Sequence, residues 1–584
     1  MILQALNRYY ERMERGGDAL APQGWIDKPI DYIIRLDRKG GCLGLVPPPL
    51  AKSKKRERGT AWRVPNIGKQ ALKHTNSGDD ANLLWDNAAF VLGVGKKGEK
   101  KRTAFVSVIQ HYFRDVDDAG IDAVCSFIKA ISADSSALED FLAQYPDSRE
   151  DLLSGQPTVS FQLVDDSSEL VCQRTAVRAA YQVRRSEHRD GSRRQCLVTG
   201  VPDVIAVTHD AIKGVWGGQT SGGYLISFNE RAFESYGNER LQGLNAPVGE
   251  RAASSYTTAL NYLLRDGSRQ RLQVGDASAV FWSQEPDEIE GGFGSIFSGS
   301  DDPNHAEQVR AVLEAIHAGK FDGGRGDNRF YVLGLAPNAA RISVRFWHAE
   351  PVRIIARRVG QWFEDIEIAR GPNEPEFPSL FRLLSACAVQ NKADNIPPNL
   401  GGDIMRSILS GGVFPATWLN AAVQRCRAEQ RVTRLRAASI KACLNRSIRR
   451  QTNQEEIQPM LDLENTNTAY RLGRLFAVLE KVQEEANPDL NATIRERFYG
   501  AASSTPVSVF TTLLRLKNHH VAKLENRGRA TNFEKLIGEI VGSIVDFPAH
   551  LALKDQGRFA LGYYHQRQAF FTKPESTNHS QETR

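Results

Sequence analysis

Strand-forming segments are confined to the first two-thirds of this 584-residue chain. "TVSFQLV" (158–164), "GYLISFN" (223–229), "SAVFWS" (278–283), "FYVLGL" (330–335) and "RISVRFW" (341–347) are rich in Val, Ile, Phe and Tyr. Gly, Pro, Asn or Asp bounds them, as strand ends require. Helical periodicity runs between them, in "SYTTALNYLLRDG" (255–267) and "EQVRAVLEAIHAG" (307–319), each closing on glycine. Beyond about residue 380 strand signals vanish. This distribution predicts an α+β protein, a mixed body followed by an all-α helical bundle, and lacks the βαβ rhythm of a parallel sheet.

The bundle is legible helix by helix from residue 466 onward. Leu472, Leu475, Phe476, Leu479 and Val482 form one stripe, stopped by "NPD" at 487–489. A second helix runs through Ile494 and Phe498 to Gly500. A third opens with Thr505 as cap and Pro506 in its first turn. A fourth is expected from Thr531, with Glu534 completing a capping box, and a fifth follows Pro548. The domains expected are 1–110, a basic N-terminal region; 111–380, the α+β body; 381–459, a helical connector; 460–572, the bundle; and 573–584, a disordered tail.

Charge is unevenly spread. Residues 52–102 hold 13 Lys/Arg against 5 Asp/Glu, and residues 425–450 hold 9 against one, a net of +8 in each case within a chain of net +6. Two such clusters point to a polyanion partner; the alternative is a pair of solvated basic surfaces. No apolar run is long enough for a membrane span, and "MILQALNRYYERMERGG" reads as an amphipathic helix on Ile2, Leu3, Leu6, Tyr10 and Met13, not as a secretory signal. The seven cysteines are scattered, with no CxxC or metal-knuckle spacing, which fits a reducing cytoplasm.

No catalytic set emerges. "GGFGSIFSG" (291–299) lacks the lysine and strand-to-helix frame of a phosphate loop, and reads as a mobile loop. Asp115, Asp117 and Asp118 in "RDVDDAGID" would suit Mg²⁺ in a nuclease, or else serve as helix caps and solvated turns. His519 and His520 are adjacent on a helix and diverge by roughly 100°. "RGD" at 325–327 is a chance tripeptide. No metal and no cofactor is expected, and the chain reads as a binding protein rather than an enzyme.

Several long stretches carry a resemblance: "MILQALNRYY" at the start, "LLWDNAAFVLG" (83–93), "IKGVWGGQTSGGYLISFNERAFESYG" (212–237), "NAPVGERAASSYTTALNYLL" (245–264), "FYVLGLAPNAARISVRFW" (330–347) and "FPAHLALKDQGRFALGYYHQRQAFF" (547–571). Together they resemble the large subunit of the type I-C CRISPR surveillance complex, or Cascade, of prokaryotic antiviral defence. The resemblance implies a cytoplasmic, RNA- and DNA-binding subunit that recognises a short motif beside the target, the PAM, in double-stranded DNA and starts unwinding. It further implies stabilisation of the R-loop and displaced strand, and recruitment of a separate helicase–nuclease. The implied partners are the CRISPR RNA, a subunit that processes its handle, a repeated backbone subunit and a small subunit. In this family the small subunit can arise by internal translation. Met460, which from the residues alone is a chance occurrence, would then start a product of 125 residues (584 − 460 + 1).

In that light Lys52, Lys54, Lys55, Arg56 and Arg58 are candidates for the duplex backbone, since phosphate contacts fix register while base contacts specify. Base-edge candidates follow, with Asn76 first, beside Ser77 and Gly78, then Asn66, Lys69 and Gln70. Asn76 equally suits a simple turn, and Trp85 is expected in the core rather than as a stacking platform. Gly217, Gly218, Gln219, Ser221 and Asn229 either line an RNA- or DNA-facing loop or make a tight turn in which Gln219 and Asn229 satisfy buried backbone; the reading is mixed. Arg427, Arg431 and Arg434, at i, i+4 and i+7, are expected to share a helix face along the displaced strand, extended by Lys517, Lys523, Arg527 and Arg529. Two alternatives stay open: a metal-dependent nuclease on the three aspartates, and an RNA-handle scaffold without PAM reading.

Overall fold

The computed structural model describes residues 1–16, 20–48, 59–67, 79–133, 136–187, 193–235, 240–297, 305–319, 328–451 and 455–571. The chain forms two units: Met1–Lys213 with Gln219–Tyr262, and Gly214–Gly218 with Leu263–Arg584.

In the first unit α1 (Ile2–Arg15) buries Leu6, Tyr9, Tyr10 and Met13, the expected face. β1 (Trp25–Ile30), β2 (Tyr32–Leu36), β3 (Cys42–Val46), β4 (Thr60–Pro65), β5 (Trp85–Asn87) and β6 (Thr158–Leu163) make two sheets. One is the antiparallel ribbon β1–β4; the other has the order β3-β2-β6-β5, parallel only between β2 and β6. Helices α2 (Ala88–Val91), α3 (Gly98–Phe113), α4 (Ala119–Ala130), α5 (Ala137–Ala143), α6 (Pro146–Leu153) and α7 (Thr175–Glu187) follow this chain order. A core of Ile34, Leu36, Trp85, Phe105, Phe127, Phe161 and Tyr181 binds them together. The short pair β7 (Arg193–Gln195) and β8 (Pro202–Val204), and α8 (Glu250–Leu264), come next. Residues 223–229, expected as a strand, are not one. Gly223 forms an isolated bridge with Ile212, and without a partner strand among the described residues the segment stays irregular.

The second unit carries an antiparallel sheet of order β12-β11-β10-β9, from β9 (Arg271–Val274), β10 (Ala277–Ser283), β11 (Arg329–Asn338) and β12 (Arg341–Pro351). The ladder slips between Gly334 and Leu335, where a Cβ on Gly334 would lie 2.3 Å from Phe346. The glycine-rich stretch expected as a loop is instead helical, α9 (Ile289–Phe297). Ile289, Phe293, Ile296 and Phe297 form a buried stripe, and Gly294 lets the helix approach the carbonyl of Arg269. Then come α10 (His305–His317), α11 (Val352–Ile366), α12 (Leu380–Ala386), α13 (Leu400–Ser410), α14 (Ala416–Ala428) and α15 (Arg434–Ile448).

The bundle comprises α16 (Thr468–Ala486), α17 (Ile494–Ala502), α18 (Val507–Lys523), α19 (Arg527–Gly542) and α20 (Leu553–Ala569). α19 starts four residues before the expected Thr531, because Asn526 accepts the Arg529 N–H at 3.0 Å and caps it; Thr531 instead bonds back to Arg527 O. α18 starts at Val507, with Pro506 at the cap. One hydrophobic core runs from Leu272 in the sheet to Tyr564 in α20, so sheet, connector and bundle share it. Among the described residues no helix is long and apolar enough to cross a membrane.

Candidate nucleic-acid interface

β4 is a short strand with both ends pinned. It pairs with β1 from Ile30↔Thr60 to Trp25↔Pro65. At its start the Gly59 N–H donates to Asp31 Oδ1 (3.1 Å), and a Cβ on Gly59 would lie 1.7 Å from Ile30 O, so only glycine fits. Asp31 also accepts the Thr158 N–H at 2.9 Å, which ties this foot to β6. At the other end the Asn66 N–H donates to Gly24 O (2.7 Å), Trp85 Nε1 donates to Pro65 O (2.9 Å), and the Tyr181 hydroxyl lies 2.9 Å from Asn66 O. Asn66 is thus a backbone anchor, and Trp85 is a buried core residue, as expected.

Two segments leave from this strand. Residues 49–58 precede it, with Lys52, Lys54, Lys55, Arg56 and Arg58. Residues 68–78 follow it, with Lys69, Gln70, Asn76, Ser77 and Gly78. Both lie outside the described residues. Asp79 pairs with Lys100 Nζ at 2.7 Å. Asp86 then accepts the N–H groups of Asn82 and Asn87, each at 2.7 Å, and burial pushes its carboxyl up to about 6. Lys96 and Lys97 stand exposed at the start of α3.

The 214–229 loop falls across the division of the chain: Gly217 and Gly218 belong to the second unit, and Gln219, Ser221 and Asn229 to the first. Gly217 has φ +71°, and the Gly218 N–H donates to Val215 O at 3.0 Å, so these glycines do make a tight turn. Gln219 is exposed, with the Ser221 hydroxyl 3.4 Å from its Oε1; Ser227 Oγ lies 3.4 Å from Asn229 Oδ1. Trp216, overlooked in the sequence, is 56 % exposed, while its backbone N–H donates to Ser278 Oγ at 2.9 Å. A tryptophan preceding two glycines in a polar turn was the available signal.

The basic cluster of 425–450 requires a correction. Arg427, Arg431 and Arg434 do not share a helix face, because α14 ends at Ala428 and α15 begins at Arg434, with Gln430 at φ +46° between them. Arg427 is half-buried, with Nη1 3.5 Å from Gln556; Arg431 is exposed; Arg434 is buried, donating to the carbonyls of Pro375 and Glu376. Most of the other cations turn inward. Arg436 donates to Ala386 O (2.8 Å) and to Glu429, Lys441 to Glu364 O (2.9 Å), and Arg446 and Arg449 to Asp365. In the bundle Lys517 pairs with Glu534 (2.8 Å) and Arg529 with Glu485 (2.8 Å), Lys523 lies 3.3 Å from Asn487 Oδ1, and Arg527 is exposed.

The three aspartates have separate duties. Asp118 caps α4 through Gly120 N–H (2.8 Å) and receives Arg174 Nε at 3.0 Å. Asp115 pairs with Arg184 at 3.0 Å, and Asp117 is exposed. Among the described residues no group of three or more His, Cys, Asp or Glu could hold a metal ion.

The family model described as CRISPR-associated protein (Cas_Csd1) matches residues 6–571. The chain belongs to this family. It is therefore a large subunit of type I-C Cascade, and membership implies a CRISPR complex with other Cas subunits and the CRISPR RNA. No curated protein matches the chain. Some of the stretches that carry the family resemblance hold core elements. "FYVLGLAPNAARISVRFW" is the β11–β12 hairpin, and "LLWDNAAFVLG" holds β5 and α2. In α20 a Cβ on Gly562 would sit 2.0 Å from Tyr470 O, which lets α16 and α20 cross closely.

Proposed function

We propose that this chain is the non-catalytic subunit that reads the PAM in double-stranded DNA, starts unwinding, holds the R-loop and displaced strand, and recruits a helicase–nuclease in the prokaryotic cytoplasm. The observation that carries the reading is the pinning of β4 between two polar, cation-bearing segments, in a chain of this family. Recognition loops work from rigid supports. Here Lys52, Lys54, Lys55, Arg56 and Arg58 would set register on phosphates, and Asn76, with Ser77, Lys69 and Gln70, would meet base edges. The CRISPR RNA, a handle-processing subunit, a backbone subunit and a small subunit complete the assembly, the last supplied by translation from Met460. The exposed Arg431 and Arg527 are the members of the proposed displaced-strand path open to solvent without a side-chain partner among the described residues.

The test is duplex binding by the reconstituted complex, with matched and scrambled PAMs, across a salt series. Replacing the five cations of 52–58 by alanine should flatten the log–log salt slope by up to about 4.5, at roughly 0.9 per phosphate, and leave the preference for the matched PAM. An absence of PAM preference in the wild-type complex would contradict the reading.

A further inference from the structure

Beyond Arg431 and Arg450, exposed cations of the second unit lie outside the 425–450 cluster. Between α10 and α11 is a cavity of about 480 Å³. Its charged lining is Arg353, Arg357, Arg358 and Glu364, with His317 on the opposite wall, so three arginines face one carboxylate. Arg358 is fixed: it donates to Leu409 O, with His348 Nε2 at 3.2 Å and Glu350 at 3.7 Å. Arg353 and Arg357 are exposed, and among the described residues neither has a hydrogen-bond or ion-pair partner.

We propose that this cavity is a second nucleic-acid contact, in which Arg353 and Arg357 hold neighbouring phosphates of a single strand. It rests on the nucleic-acid reading above but uses residues in the unit that does not hold the PAM-reading segments. Four residues of helix place the two arginines about 6 Å apart along α11, on one edge, a spacing that suits successive phosphates of an extended strand. Planar guanidinium groups grip phosphate oxygens bidentately, which an ammonium does not. Gln361, one turn further on, adds an amide donor, and Glu364 closes the far end with a charge that repels the backbone. The floor is low because Gly360 has no side chain, where a Cβ would already be 3.4 Å from Ile316. Ile316 and Ile354 supply apolar wall for a sugar or base. The site tracks a backbone and carries no sequence code, as single-strand grooves do.

The experiment uses the reconstituted complex with mixed-sequence single-stranded DNA and RNA probes over a salt series, alongside the PAM-duplex assay. Arg353→Ala/Arg357→Ala should flatten the single-strand salt slope by about 1.4, at roughly 0.7 per phosphate, and leave PAM preference unchanged. Arg353→Lys/Arg357→Lys, which keeps the charge, should retain the slope. Arg382→Ala, an exposed cation outside the cavity, should have no effect. An unchanged slope in the double alanine variant overturns the proposal, as does an equal loss in Arg382→Ala. If PAM preference is missing in wild type while the slope still responds to Arg353 and Arg357, the PAM reading falls and this one stands.

Discussion

Arg446 places Nε 2.5 Å from Asp365 Oδ2, with both side chains sealed from solvent. Arg449 reaches the other carboxylate oxygen at 2.5 Å, and the backbone carbonyls of Glu364 and Asp365 receive Lys441. This network fastens α15 to α11. Removing one partner of a buried pair costs about 3–5 kcal/mol when the remaining charge is uncompensated, and because Arg449 still holds Asp365 the lower end applies here. Arg446→Met is therefore expected to lower unfolding stability by that order, measured by urea denaturation, while Arg431→Ala has little effect.

Asp86 makes stability in the 79–87 segment depend on pH. Burial raises its folded carboxyl to about 6, above its unfolded value. The contribution is full below about pH 4 and is lost as pH rises through 6, on the order of 3 kcal/mol. Compared with Asp86→Asn, wild type should lose stability by that order between about pH 4 and pH 7; a constant difference would refute the assignment.

His565 behaves in the opposite sense. Burial, then the nearby Lys441 charge, lowers it to about 4, and its Nδ1 lies 2.9 Å from the Tyr470 hydroxyl. Its contribution is full above about pH 6.5 and is lost as pH falls through 4, again on the order of 3 kcal/mol. His565→Gln should remove that part of the acid sensitivity in a pH series of denaturation curves.

Met460 is 68 % exposed between α15 and α16. A chain begun there lacks α14 and α15, yet a Cβ on Gly557 would lie within 3.0 Å of Ile440, 3.4 Å of Leu444 and 3.5 Å of Leu419. The product should expose that apolar face of α20, bind a hydrophobic dye and self-associate. A monomer with no dye binding would contradict this.

The bundle was legible because its stripes and stops are local: Leu472 to Val482 with "NPD", then Ile494 and Phe498. The strands at 278–283, 330–335 and 341–347 were legible for the same reason. The glycine-rich 291–297 helix was misread because glycine content outweighed the Ile289–Phe293–Ile296 spacing; Gly292 and Gly294 serve close packing. The basic cluster misled because charge counting cannot see Asp365, distant in sequence, waiting for Arg446 and Arg449. Arg353 and Arg357 escaped notice because two arginines in an amphipathic helix raise no local signal; the α10 wall makes the site.

The most direct measurement compares matched and scrambled PAM duplexes for wild type and Asn76→Ala in the reconstituted complex. The account predicts that the preference collapses while non-specific affinity and its salt slope hold. A preference that survives intact would contradict base reading by Asn76, and would leave the segments around β4 with phosphate contacts alone.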